Sequence, residues 1–225
     1  MNAVNIPGLN GVVATLLASL LSFSALADTG LAAQEKPQSG FLPDYSQLKP
    51  VKGPEGTKIY RYTRFDFDPL AYSAVIIDPV MINQAHADEK LTPQVIDQTR
   101  AALDASIRDR IGQSSLKIVH EPGPGVIRVA VAISGAELDS EGFKPRNILP
   151  ISAALKVVSM AAGKEQKTPV LLVENKITDS QTGNLLRAGM ITISGEAFRD
   201  EANTAHEFQS LAQRVVGIAM DNSER

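Results

Sequence analysis

The chain contains no cysteine. That absence excludes disulfides, thiolate metal centres, cysteine nucleophiles and lipid attachment to a cysteine behind a leader. Stability must come from packing alone. Excess basic charge is missing too: 22 Lys and Arg stand against 25 Asp and Glu, a net charge of −3. Without a clustered basic surface there is no electrostatic case for nucleic acid or anionic lipid surfaces. Histidine is scarce, and His86, His120 and His206 lie far apart with no ligand spacing such as H-E-x-x-H. No metal or other cofactor is expected. Recognisable catalytic loops are lacking as well. Gly123-Pro-Gly125 precedes a strand, whereas a phosphate loop needs its glycines at a helix N-terminus. Gly163-Lys164 has no Walker-type glycine before it, and no G-x-S-x-G elbow occurs.

Long hydrophobic runs are few. Val12 to Ala27 is apolar and ends in Ala25-Leu26-Ala27, the small-x-small pattern of a cleaved secretory leader, although no Lys or Arg precedes it. It is short for a membrane span. We therefore expect residues 1–27 to be a signal peptide, with an uncleaved N-terminal anchor as the alternative, and the protein to be exported, to the periplasm, without a cysteine-borne lipid. No transmembrane helix is expected once the leader is removed. The remainder is long enough for one domain with a sizeable core.

Residues 28–72 read as an extended, aromatic-rich N-terminal arm, with Pro and Gly interspersed. Phe41, Leu42, Tyr45 and Leu48 are spaced as anchors, and Tyr60, Tyr62, Phe65, Phe67 and Tyr72 follow. Such rings either lie buried along the domain or line a ligand groove, in which case Tyr60 and Tyr62 are candidate binding residues.

Residues 73–225 read as a single domain. Ser73 to Ile82 is an apolar strand in which Pro79 removes a ladder donor, so pairing should fail near Asp78. Thr92 caps the clearest helix, Pro93 suits its first position and Gly112 follows its last turn. Ser115 to His120 is a short strand. The turn around Gly123-Pro-Gly125 then opens the organising strand, Val126 to Ser134. Ile127, Val129, Val131 and Ile133 fall on one face; Val126, Arg128, Ala130 and Ala132 fall on the other. The large face needs a core, and the small face lets another element come close. Val170–Thr178 and Leu185–Ser194 form a hairpin across Asp179-Ser-Gln-Thr-Gly-Asn184. Thr204 and Glu207 make a capping box for a terminal helix with Phe208, Leu211, Ala212, Val215 and Val216 on one stripe.

Between these elements Ile148 to Ala162 is almost wholly apolar yet too short to cross a bilayer. As a helix it is either covered on all sides or packs through Ile151, Leu155 and Val158. The second arrangement turns Val157 and Met160 outward, and we favour it as a binding face. The resulting fold class is α/β of the α+β type. It is a two-layer sandwich of a mixed β-sheet with helices, in the order β-α-β-β-α-β-β-α.

Several blocks resemble the bacterial family called domain of unknown function 3313. They are Ser39-Gly-Phe-Leu-Pro-Asp-Tyr-Ser-Gln-Leu48, Tyr72 to Val80, Glu121 to Ile133, Val173-Glu174 and the Asp179 turn, in family order. The resemblance implies an envelope protein related to lipoproteins without an assigned activity, and it brings no catalytic or ligand residues. The chain departs from the family pattern in lacking the lipidated cysteine. Two classes of function follow. The favoured one is a non-catalytic binding or interaction module for an envelope protein, glycan or lipid partner. The alternative is a hydrolase-type enzyme whose site forms only in three dimensions around Asp66, Asp68 or Asp78. The pair Asp66 and Asp68 would share a face of extended chain, and Asp78 ends an apolar strand.

Overall fold

A computed structural model of the chain describes residues 38–83, 91–139, 166–197 and 199–221, all within the compact unit Glu35–Arg225. The expected leader, His86 and the apolar stretch 148–162 with Val157 and Met160 lie outside the described residues.

Eight strands and two α-helices, with short 3-10 turns at Pro69–Ala71 and Glu201–Asn203, make up the described fold: β1 Lys49–Val51, β2 Thr57–Thr63, β3 Ala74–Ile77, β4 Met81–Ile82, α1 Pro93–Gly112, β5 Lys117–Ile118, β6 Val126–Asp139, β7 Thr168–Asp179, β8 Leu185–Ser194 and α2 Thr204–Asp221. The strands form one mixed sheet in the order β1-β2-β8-β7-β6-β3-β5, with β4 also beside β6. β1, β2, β8, β7 and β6 pair antiparallel in succession, while β3 and β4 run parallel to β6 and β5 parallel to β3. Both helices pack on one face, and the result is the two-layer α+β sandwich that the alternation of elements implied. Among the described residues, no helix is long and apolar enough to cross a membrane.

The alternation of β6 sorts the two faces. Ile127, Val131 and Ile133 enter the main core with Leu103 and Ile107 of α1 and Phe208, Leu211 and Val215 of α2. Ala130 and Ala132 face the other way. The strand runs past Ser134, where the sequence placed its end. Its register with β7 shifts between Ile133 and Gly135, and the bulge changes the phase, so Ala136 and Leu138 rejoin the helix side. Pro79 acts as expected: pairing along this edge of β6 breaks between β3 and β4. On α1, Thr92 Oγ1 accepts from the Val95 amide at 3.3 Å. Gly112 is the last helical residue rather than a residue beyond the helix, and Gln113 caps it in right-handed geometry.

The arm divides in two. Phe41, Leu42, Tyr45 and Leu48 are buried against Ala130, Ala132, Leu172, Ala188 and Met190 on the sheet face opposite the helices. Each such side chain contributes about 1.5–3 kcal/mol of burial. The small residues of β6 leave the room that lets them in. Lys49–Val51 and Thr57–Thr63, by contrast, are strands of the sheet, β2 pairing with β8 along all seven residues. Sequence reading missed them because only Ile59 of β2 is buried, and the Pro and Gly flanking both strands read as an unpaired lead-in.

Candidate functional site

Between the helix-bearing face of the sheet and the two helices lies a cavity of about 260 Å³. Its walls are aliphatic for the reason that made the core: Ile127, Val129 and Val131 are the large face of β6, and Leu103, Ile107 and Ile111 are the inward stripe of α1. Val215, Val216 and the last turn of α2 close it on that side. The lining draws on β2, β8, β7, β6 and β3, neighbours across most of the sheet, a width of about 19 Å at roughly 4.8 Å per strand. The space therefore runs beneath several strands rather than over one. It lies just below the small-molecule range, which begins near about 300 Å³.

The segment 64–72 contributes Phe67, Pro69 and Tyr72 to the wall. The Phe67 and Tyr72 rings stand 5.8 Å apart. The Arg64 amide donates to the Leu186 carbonyl on β8, and the Tyr72 hydroxyl donates at 3.2 Å to Oδ2 of Asp179, the last residue of β7. The segment is thus tied at both ends.

Polar groups reach the lining from β2, β7 and β8: Arg61, Asn175 and Arg187. Arg61 pairs in register with Gly189, and Thr63 with Arg187, which makes the two arginines diagonal neighbours on one face. Gly189 leaves room for the Asn175 amide, whose Nδ2 would stand 2.9 Å from a Cβ at that position. Burial, then the charge of Arg61, lowers the pKa of the Arg187 guanidinium, and burial lowers that of Arg61. Nearby carboxylates are engaged elsewhere. Asp66 pairs with Arg64 at 2.5 Å, Asp68 accepts from the Leu70 amide, and Asp179 accepts from Thr182 and Tyr72. Among the described residues Arg187 has no acidic partner.

A second polar cluster sits under the arm. Glu174 on β7 is fully buried, and its Oε2 accepts from the hydroxyls of Ser39 and Ser134. The Tyr45 hydroxyl accepts the amides of Ser39 and Leu42, each at 3.2 Å, and lies 3.1 Å from Ser39 Oγ. Asn83 Nδ2 donates to Ser39 Oγ at 2.8 Å. Lys176 Nζ donates to the Phe41 carbonyl at 3.3 Å and stands 4.5 Å from the centre of its ring. The Glu174 Oε1 atom is buried without a partner among the described residues. Within the cluster, Ser39 to Glu174 and Lys176 to the Phe41 carbonyl join the arm to the sheet.

Of the residues expected to bind, Tyr60 and Tyr62 lie together on β2, half-buried against the arm, and Tyr60 also borders the cavity. Val157 and Met160 are outside the described residues. The three candidate acids do not converge. Asp66 and Asp68 have the local partners given above, and Asp78 faces Arg128 at 3.6 Å. None of them lines the cavity, and His120 and His206 are exposed. Sequence reading missed Arg61, Asn175, Arg187 and Glu174. A signal was present for one of them: Arg187 is the one charge in the otherwise largely apolar strand β8.

The chain belongs to the family described as protein of unknown function (DUF3313), whose pattern matches residues 37–220. It is 23% identical over 206 residues to a protein of Escherichia coli K12 called uncharacterized lipoprotein YdcL, covering 91% of each chain. Among solved structures, XCC0632 of Xanthomonas campestris, of family DUF330, is similar over 73% of this chain and 97% of its own, with 11% identity and a TM-score of 0.40. The PelC dodecamer from Paraburkholderia phytofirmans is similar over 71% and 94%, with 12% identity and a TM-score of 0.37.

Proposed function

We propose that this member of the DUF3313 family is a non-catalytic binding module of the bacterial envelope, and that it takes an apolar chain into the cavity between sheet and helices. One observation carries the reading: a cavity of about 260 Å³ whose described lining is mostly aliphatic and holds no carboxylate or histidine. Apolar space of this kind excludes water and rewards burial of an alkyl group by about 0.8 kcal/mol per methylene. Among the described lining residues there is no carboxylate, histidine, serine or threonine to act as nucleophile or general base. The candidate partners narrow accordingly, from a protein, glycan or lipid to a lipid-like ligand. Placement in the envelope is supported by the apolar run ending at Ala27 and by a relative named as a lipoprotein. An exported protein without cysteine needs another route to the membrane, or none.

The test is binding of the neutral fluorophore N-phenyl-1-naphthylamine to the purified protein. Saturable enhancement with one site is expected, and Val129→Phe, which fills the cavity from its wall, should abolish it while the variant stays folded. Absence of saturable binding, or equal binding by the folded variant, overturns the reading.

A further inference from the structure

We propose that the ligand of the cavity is an anionic amphiphile, its alkyl chain lying between sheet and helices and its carboxylate or phosphate head held by Arg187 beside Arg61. This rests on the binding reading above and goes further by fixing the head group. Asn175, also in the lining, stands on β7 next to β8 and can donate to the same head.

Placement is the first argument. Both arginines come from neighbouring strands at one side of the sheet, whereas the aliphatic walls continue across β7 and β6 to Val75 on β3. The cavity therefore has a charged end and an apolar length, the polarity of an amphiphile. Charge is the second. Arg187 carries its charge on a largely apolar wall, diagonal to Arg61 and with no acidic partner among the described residues, and a cation so placed favours an anion that joins it. The carboxylates nearest in sequence are committed to Arg64, to the Leu70 amide and to the Asp179 turn. The fork of donors on a guanidinium suits a carboxylate or a phosphate in a bidentate fit. A net charge of −3 hides this pair, because the preference is local rather than a property of the whole surface.

The experiment displaces bound N-phenyl-1-naphthylamine with three ligands of one chain length: decanoate, decyl phosphate and decanol. At least one anion should displace the probe at a concentration about tenfold or more below that of decanol, the difference expected for one charge-assisted hydrogen bond. Stronger displacement by decanoate assigns a fatty-acid head, and stronger displacement by decyl phosphate a phosphorylated one. Arg187→Gln should bring the anions to the level of decanol and leave decanol unchanged, and Arg187→Lys should keep part of the preference. Equal displacement by all three ligands on the unaltered protein overturns the head-group assignment while leaving the apolar site standing. Failure of every ligand to displace a bound probe, or of the probe to bind, removes the site itself.

Discussion

Replacing Tyr45 by Phe removes one oxygen and tests how the arm is fastened. That oxygen accepts two backbone amides, from Leu42 and Ser39, both at 3.2 Å. Leu42 is 3% exposed, so water cannot take over its amide, whereas Ser39 is half-buried and solvent can compensate in part. An unsatisfied buried donor costs about 1–3 kcal/mol, and with a smaller share from Ser39 the expected loss for Tyr45→Phe is about 2–3 kcal/mol. The ring stays in place, so burial in the arm cluster is unchanged and the whole effect is polar. Urea unfolding of parent and variant gives the loss, and hydrogen exchange at the Leu42 amide shows whether it is local.

A pH series gives an independent check. Burial raises the pKa of the Tyr45 phenol; hydrogen bonds from Ser39 and Leu42 partly offset this, and Glu174 pushes it up again. A raised folded value means that the contribution is present in full below the ordinary tyrosine pKa, about 10, and is lost as pH rises through the folded value. The variant should therefore lack that part of the alkaline decline. Stability within about 0.5 kcal/mol of the parent, with the Leu42 amide still protected, would refute the reasoning.

Three further outcomes are expected. Gly125 opens β6 at φ +68°, and a Cβ there would stand 3.3 Å from the Ala71 carbonyl oxygen; Gly125→Ala should cost about 1–2 kcal/mol in thermal or urea unfolding. Asp104 bonds Arg108 Nε at 2.7 Å and accepts from the Val80 amide at 3.3 Å, and the Arg108 bond holds its carboxyl below the usual range. Asp104→Asn should cost about 0.5–1 kcal/mol at neutral pH; this contribution is present above the unfolded pKa near about 4 and lost as pH falls through the folded value, so parent and variant should converge in acid. Phe65 and Leu70 are 99% and 92% exposed, and the double change Phe65→Ser with Leu70→Ser should leave unfolding stability within about 0.5 kcal/mol; a larger loss would show that the segment 64–72 packs through them.

Much of this protein is determined by the sequence alone. The large and small faces of β6 follow from alternation, and they dictated both the core and the seat for Phe41, Leu42, Tyr45 and Leu48. The cap at Thr92, the break at Pro79 and the turn at Asp179 are local chemistry, satisfied within a few residues, so they are legible without a fold. The continuation of β6 beyond Ser134 is not, because a bulge is set by the partner strand and changes the phase of the pattern. β1 and β2 were hidden for a related reason: an edge pair with one buried residue has little apolar periodicity to read, and only β8 makes it a strand. The cavity belongs wholly to tertiary structure. Arg61 and Arg187 are 126 positions apart, and nothing in either neighbourhood announces the other. The pairing of β2 with β8 sets them side by side, and packing of α1 and α2 leaves the apolar space beside them unfilled.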